Sequence, residues 1–178
     1  MHCPKCNDVR LQATKLDEGL SAMGCPRCEG AFVSLLYYRD WAERCGEAHL
    51  ANKAEPERVE PETTVTAMGC PKCSKLMTKY RITGCRNNRL DLCSSCDEAW
   101  LDGGEWELLK ALDLSHKMPM VFTEQWQRNV RQQVTEDSRK QRFLKILGEA
   151  DLSEAEKVRQ WVKDHPRRAD ILRYLSFD

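Results

Sequence analysis

The sequence predicts a small α+β fold in which two tandem cysteine-rich modules, each with a short following helix, precede an α-helical region. The chain has 178 residues and ten cysteines, and eight of these cysteines form four Cys-x-x-Cys pairs. Leu, Ile, Val and Phe together make up just under a fifth of the residues, which is few for a domain held together by apolar burial alone. The last third of the chain has no cysteine and shows helical periodicity. The modules therefore need another source of stability.

The cysteine pairs repeat along the chain with nearly constant spacing. The first copy reads C-x2-C-x18-C-x2-C and the second reads C-x2-C-x19-C-x2-C. Each Cys-x-x-Cys turn places two thiolates on one edge of a tetrahedron, and a hairpin can bring a second turn to complete the site around one zinc ion. We therefore predict two tandem four-cysteine zinc ribbons, with one Zn²⁺ in each. The expected ligands are Cys3, Cys6, Cys25 and Cys28 in the first ribbon, and Cys70, Cys73, Cys93 and Cys96 in the second.

The start of the chain favours metal ligation over disulfides. It reads Met1-His2-Cys3-Pro4-Lys5-Cys6, with no apolar stretch behind basic residues, so we expect a cytoplasmic protein whose cysteines stay reduced. A redox-active Cys-x-x-Cys needs a βαβ unit, and the sequence lacks that alternation. Spacing alone does not select zinc over iron in a rubredoxin-like site. Cys45 and Cys85 are left over, and we interpret them as ordinary thiols.

Four segments follow from this pattern. Residues 1–50 are expected to form the first ribbon with its helix, and residues 51–67 an acidic, Pro-containing linker without apolar periodicity. Residues 68–112 are expected to form the second ribbon with its helix, and residues 113–178 the helical C-terminal region.

The C-terminal region is predicted to contain three helices. Apolar residues recur every four positions from Trp126 to Val134, in a helix that we expect to end at Gly148. Ser153 and Glu156 have the spacing of a capping box and predict the start of a second helix. Pro166 suits the first turn of a third helix. The apolar side chains expected on the inner faces of the last two helices are Val158, Trp161, Val162, Ile171, Leu172, Tyr174 and Leu175.

The residues around the last cysteine pair carry a resemblance to a known family. They read Cys93-Ser94-Ser95-Cys96-Asp97-Glu98-Ala99-Trp100-Leu101-Asp102-Gly103-Gly104-Glu105. This stretch resembles the transcription-factor-IIB-type zinc-ribbon family of bacterial proteins, and the second copy, over Cys70 to Leu112, is the better match. In the first copy Phe32 stands in place of the tryptophan. The resemblance implies zinc binding and docking to macromolecules.

We interpret this signature as a fold motif and not as an active site. Asp102 and Glu105 have capping-box spacing for the helix that follows. Trp100 is expected to pack beside the zinc site, with Leu108 and Leu109 covering it.

Composition and motifs also limit the function. The chain has 28 basic and 28 acidic side chains, which argues against a strongly basic nucleic-acid coat protein. No stretch approaches the roughly 18 apolar residues of a membrane span, so we expect no membrane partner. Four thiolates leave no open metal position, and the sequence lacks a phosphate loop, a dinucleotide-binding turn and a Ser nucleophile elbow. We therefore expect that the protein is not an enzyme.

The favoured function is a non-catalytic, zinc-binding adaptor for an unidentified protein partner, with a link to transcription suggested by the resemblance. Nucleic-acid binding, through the ribbons and the Arg-rich helix at residues 128–145, stays open as a weaker alternative. A zinc-linked redox sensor, in which oxidation of a cysteine pair releases the metal, is a further alternative.

Overall fold

The computed structural model describes residues 1–45 and 61–177. The predicted end of the first module at residues 46–50, and residues 51–60 of the predicted linker, therefore lie outside the described residues. None of the helices in the described residues is long and apolar enough to reach across a membrane.

Each cysteine-rich copy contributes three strands followed by a helix. The first copy contains β1 (Gln12–Asp17), β2 (Leu20–Gly24), β3 (Ala31–Ser34) and α1 (Leu35–Cys45). The second copy contains β4 (Thr78–Arg81), β5 (Arg89–Cys93), β6 (Glu98–Leu101) and α2 (Glu105–Ala111). They are followed by α3 (Met118–Val121), α4 (Glu124–Asp164) and α5 (Arg168–Leu175). The mixture of antiparallel strands and helices, with a helical C-terminal region, agrees with the predicted fold class.

The two copies share one antiparallel sheet. Its six strands lie in the order β1-β2-β3-β6-β5-β4, so β3 of the first copy pairs directly with β6 of the second. In each copy this strand follows the last cysteine pair. Equivalent strands therefore meet at the centre of the sheet, and a local two-fold axis relates the copies, as in an isologous dimer interface.

The two faces of the sheet have different partners because successive side chains of a strand point to opposite faces. Val33 and Leu101 point to the face that is covered by the three helices α1, α2 and α3, whose Trp41 and Trp106 belong to the same apolar core. Trp100 points to the other face and packs with the cysteines. The expectation for the second helix is corrected here: Leu108 and Leu109 lie in the helix-covered core and do not cover Trp100.

The end of the predicted linker is fixed on the second ribbon. Glu62 donates its backbone N–H to the carbonyl of Gly103 at 2.9 Å, and Thr64 donates its N–H to the carboxylate of Asp102 at 2.7 Å. Residues 61–64 thus lie beside the sheet and are hydrogen-bonded to the second ribbon.

The chain divides into two compact units, Met1–Gln133 and Val134–Asp178. Within the second unit the helical stretch breaks at Gly148, which has φ 78° and ψ 174°, at the position where the sequence predicted a helix end. The predicted start at Ser153 is wrong, because Ser153 lies inside the helical segment that follows Gly148. A glycine reaches positive φ without steric cost, so the break occurs there and needs no side-chain cap.

The inner face of this unit is smaller than the sequence predicted. Val162 is buried, whereas Val158 and Trp161 are about half exposed. The helix α5 has no buried residue. Leu152, which was not predicted, is buried instead.

Candidate metal centres

All four cysteine pairs adopt the same backbone turn. In each pair the residue after the second cysteine donates its N–H to the carbonyl oxygen of the first cysteine, at 2.9–3.0 Å. The same residue has a positive φ between 54° and 61°. These four residues are Asn7, Glu29, Ser74 and Asp97. The sequence analysis missed them, although their shared position directly after a cysteine pair is a usable signal.

The turns bring the sulfur atoms of each ribbon together. Within each group of four, all Sγ atoms lie within 4.8 Å of one another. A tetrahedron of sulfurs at about 2.3 Å from zinc has edges of about 3.8 Å. The measured Sγ–Sγ distances are 3.6 Å for Cys3–Cys28, 3.9 Å for Cys6–Cys25 and 3.6 Å for Cys73–Cys93. The structure thus groups the eight cysteines in the two sets that the spacing predicted, and both sets fit a tetrahedral ion.

The donor set favours zinc. Four soft thiolates are the ligand type that structural zinc sites use. Each site is buried on one side, because the first cysteine of every pair is buried and the second is half-buried. All four coordination positions are filled by protein sulfurs, so the ion would join secondary structure elements and have no position for a substrate.

Hydrogen bonds and burial shift the pKa values of the thiols of the second site in opposite directions. The backbone N–H of Lys75 and the thiol of Cys96 donate to Cys73 and lower its pKa to about 7. The same hydrogen bond with Cys73 raises the pKa of Cys96 to about 12, and burial raises the pKa of Cys70. Zinc must displace the protons that remain, so metal binding is coupled to proton release.

Each ribbon contacts the cysteine turn of the other. Leu35 of the first copy donates its N–H to the carbonyl of Asp97 at 3.0 Å, and Arg39 pairs with the Asp97 carboxylate at 2.7 Å. In return, Gly103 of the second copy lies so close to Cys28 that an added Cβ would be 2.7 Å from the Cys28 carbonyl oxygen. The two candidate metal sites are therefore linked by direct contacts between the ribbons.

The predicted capping box is only half present. The Glu105 side chain accepts the backbone N–H of Asp102 at 2.9 Å, as a capping box requires. The Asp102 carboxylate, however, accepts the indole N–H of Trp100 at 3.0 Å, while Gly104 occupies the N-cap position without a side-chain bond. Burial raises the pKa of Glu105 well above its usual range. Asp102 and Glu105 thus belong to a polar network that holds the indole ring of Trp100 in place.

A buried ion pair lies next to the second site. Asp91 on β5 is fully buried and accepts a hydrogen bond from the ammonium group of Lys79 at 2.8 Å. Its second carboxylate oxygen is buried without a partner among the described residues. Burial raises the pKa of Asp91 to about 6, although Lys79 opposes this shift.

The two remaining cysteines lie apart from the metal sites. Neither Cys45 nor Cys85 belongs to a group of possible ligands in the described residues, and neither is in a disulfide. Cys85 is exposed.

Antiparallel hairpins with two Cys-x-x-Cys turns, which together supply four sulfurs, are the arrangement of a zinc ribbon. A comparison with protein families agrees, because residues 2–44 match the family described as a transcription factor zinc-finger. The match covers the first ribbon, whereas the sequence motif ranked the second copy as the better one. The second four-cysteine group nevertheless indicates a second ribbon. No curated protein and no solved structure matches the chain.

Proposed function

We propose that this chain is a non-catalytic, zinc-stabilised adaptor for protein–protein interaction. The observation that carries the proposal is the joining of two closed four-sulfur sites through one six-stranded sheet. Metal in such sites supplies folding free energy on the order of 10 kcal/mol and leaves no coordination position for chemistry. The result is a rigid platform whose surface is free to bind a partner.

The helical unit Val134–Asp178 supports the same function. Ile146, Trp161 and Tyr174 are each more than half exposed. Large apolar and aromatic side chains at the surface are the groups that anchor protein interfaces. An adaptor with two such elements would connect a partner of the sheet to a partner of the helices.

Partner capture at native expression tests this proposal. The tagged full-length protein is compared with Cys70→Ser, which removes a zinc ligand, and with Cys85→Ser, which removes an exposed thiol outside both sites. We expect reproducible partners for the wild-type protein and Cys85→Ser, and fewer for Cys70→Ser. The absence of any reproducible protein partner would count against an adaptor.

Nucleic-acid binding is a second candidate because of the family that residues 2–44 match. Two features weaken it. Arg128 and Arg131 at the start of the Arg-rich helix both pair with Glu124. A four-cysteine zinc site also has a formal charge of about −2, which repels phosphates. A salt titration of binding to DNA and RNA decides, since phosphate contacts give a steep loss of affinity with salt.

A further inference from the structure

The two outer edges of the sheet differ. The edge formed by β4 is closed at its end, at Arg81 and Ile82, by side chains of α4. Gln127 donates its amide N–H to the carbonyl of Arg81 at 2.9 Å and accepts the Arg81 N–H at 3.3 Å. The indole N–H of Trp126 donates to the carbonyl of Ile82 at 3.0 Å. An amide side chain carries the same donor and acceptor as a peptide group, so Gln127 takes the place of a neighbouring strand.

The edge formed by β1 is unpaired in the part of the chain that the structure describes. β1 and β4 are equivalent strands of the two copies and lie at opposite ends of the sheet. Within residues 1–45 and 61–177, the backbone of Gln12–Lys15 has hydrogen bonds only to β2. The register becomes irregular after Lys15, which leaves a regular edge of four residues. Natural proteins usually close or interrupt such an edge because it pairs readily with another strand.

A groove lies on each face beside this edge. One groove has a volume of about 600 Å³, and its charged lining residues are Glu29, Asp102, Glu107 and Lys15, so acidic residues outnumber basic ones. The other has a volume of about 530 Å³ and is lined mainly by apolar residues such as Met23, Phe32 and Tyr37. Of its charged residues, Lys72 and Glu98 pair with each other at 2.7 Å, and Lys15 belongs to β1 itself. A strand added at β1 would send alternate side chains into the two grooves, since strand side chains alternate between faces.

We propose that β1 binds an extended peptide of a partner protein as a seventh strand, with basic and apolar side chains in alternation. Backbone hydrogen bonds supply the affinity in this mode of recognition, and the flanking grooves supply the specificity. Basic side chains of the peptide meet Glu29 and Glu107, and apolar side chains enter the opposite groove. This inference rests on the proposed adaptor function and names the kind of partner that the sheet binds.

A second copy of the chain fits this edge less well. If β1 of a second copy paired antiparallel with β1 of the first around a two-fold axis, it would extend the sheet, and each of its residues would point to the same face as in the first copy. Lys15 pairs with Ser21, and Ala13 with Met23, so both point to the apolar side. Only the uncharged Gln12 and Thr14 of the second copy would then point towards the carboxylates.

Peptide selection tests the proposal. The zinc-loaded full-length protein is used to select binders from a library of random eight-residue peptides, and the best peptide is synthesised and titrated. Ala13→Pro and Thr14→Pro are then compared. Along an edge strand the N–H groups point alternately towards the neighbouring strand and away from it. Proline in place of an N–H that bonds to β2 disrupts the sheet, whereas proline in place of an N–H on the open side does not. The variant that keeps both zinc ions and the native fold is therefore the one that lacks a donor on the open side.

We expect the selected peptides to alternate basic and apolar residues and to protect the amides of Gln12–Lys15 from hydrogen exchange. The folded proline variant should bind about tenfold more weakly, because it lacks a backbone hydrogen bond and its ring obstructs the added strand. Glu107→Lys should weaken binding about threefold. Glu43→Lys, the same charge reversal on the exposed side of α1, should leave it unchanged.

Three results would overturn the proposal: no enriched peptide, equal binding to the proline variant, or a dimer that the proline variant dissociates. The last result would assign the edge to a second copy. Partner capture from cells by the proline variant separates the two proposals. If it captures the same partners, the adaptor function stands and the peptide edge is wrong. If selected peptides bind at β1 but no cellular partner is captured, the adaptor function is the one contradicted.

Discussion

Phe32 and Trp100 lie opposite each other on the central strand pair of the sheet. Each is the fourth residue after the last cysteine of its own copy, and both are almost completely buried. Together with cysteines from both sites they form one apolar cluster. The two aromatic residues could each have covered a separate ribbon, but they instead contact each other at the centre of the interface between the ribbons.

This arrangement predicts that the two metal sites are coupled. In Cys93→Ser the second site loses a thiolate, and its turn no longer supports the pair formed by Phe32 and Trp100. We expect the zinc affinity of the first site to fall about tenfold, which corresponds to about 1.4 kcal/mol. Competition with a chromogenic chelator measures this affinity directly.

Cys85→Ser is the matched control, because Cys85 is exposed and lies outside both sites. It should keep two zinc ions with unchanged affinities. If the first site of Cys93→Ser binds zinc as tightly as in the wild-type protein, the ribbons fold independently and the shared cluster has no energetic role.

Gly30→Ala should destabilise the sheet. A Cβ at Gly30 would lie 2.3 Å from Cζ2 of Trp100, whose indole ring is completely buried. Overpacking of this kind costs about 1–3 kcal/mol. Urea unfolding of the zinc-loaded protein should show this loss.

The control substitution is Gly69→Ala, where an added Cβ would meet its nearest atom at an ordinary 3.4 Å. We expect less than about 0.5 kcal/mol of change there. Equal losses for the two variants would mean that the contact between Gly30 and Trp100 does not set the stability.

The metal sites could be predicted from the sequence because their geometry is local. A Cys-x-x-Cys turn fixes two sulfurs within four residues, and only one hairpin is needed to bring the next two. The pairing of Phe32 with Trp100 could not be predicted in this way. It depends on contacts between residues 68 positions apart, and the repeat pattern is the same whether the copies pack together or stay separate.

The signature around Trp100 shows a second limit. Capping-box spacing indicated correctly that Glu105 bonds to the Asp102 N–H. The Asp102 carboxylate instead accepts from Trp100 and from Thr64, and Thr64 belongs to the segment interpreted as a linker. When several donors lie within reach of one carboxylate, tertiary contacts decide which of them it accepts from, and residue spacing does not encode those contacts.

Lys79→Met should destabilise the protein in a pH-dependent way. The pKa of Asp91 is raised from its ordinary 3.8 to about 6, so the folded state binds the proton more tightly than the unfolded state. The contribution of Asp91 to stability is therefore fully present below about pH 4 and is lost as the pH rises through 6. Removing the Lys79 ammonium raises this pKa further and makes the loss larger.

We expect Lys79→Met to lose about 3 kcal/mol at pH 7.5, where Asp91 must either stay charged without a partner or bind a proton that the wild-type protein does not bind. The loss should be about 1 kcal/mol at pH 5.5, where Asp91 is mostly protonated in both proteins. Urea unfolding with excess zinc at both pH values measures the difference from the wild-type protein. Lys15→Met, which replaces an exposed strand lysine, should show no such dependence. A loss for Lys79→Met that is equal at both pH values would contradict the raised pKa of Asp91.

Gln127→Ala should open the edge formed by β4 at Arg81. The Gln127 amide bonds to both the N–H and the carbonyl of Arg81 and also donates to the carbonyl of Val121 at 2.8 Å. Without the Gln127 amide these backbone groups can bond only to water. We therefore expect the free energy of unfolding to fall by about 1–2 kcal/mol and the Arg81 amide to exchange its hydrogen much faster. Gln125→Ala, two residues earlier and bonded to Asn129 on the same helix, should leave this exchange unchanged. If the Arg81 amide stays protected in Gln127→Ala, the side chain does not close the edge, and the contrast between β1 and β4 loses its physical basis.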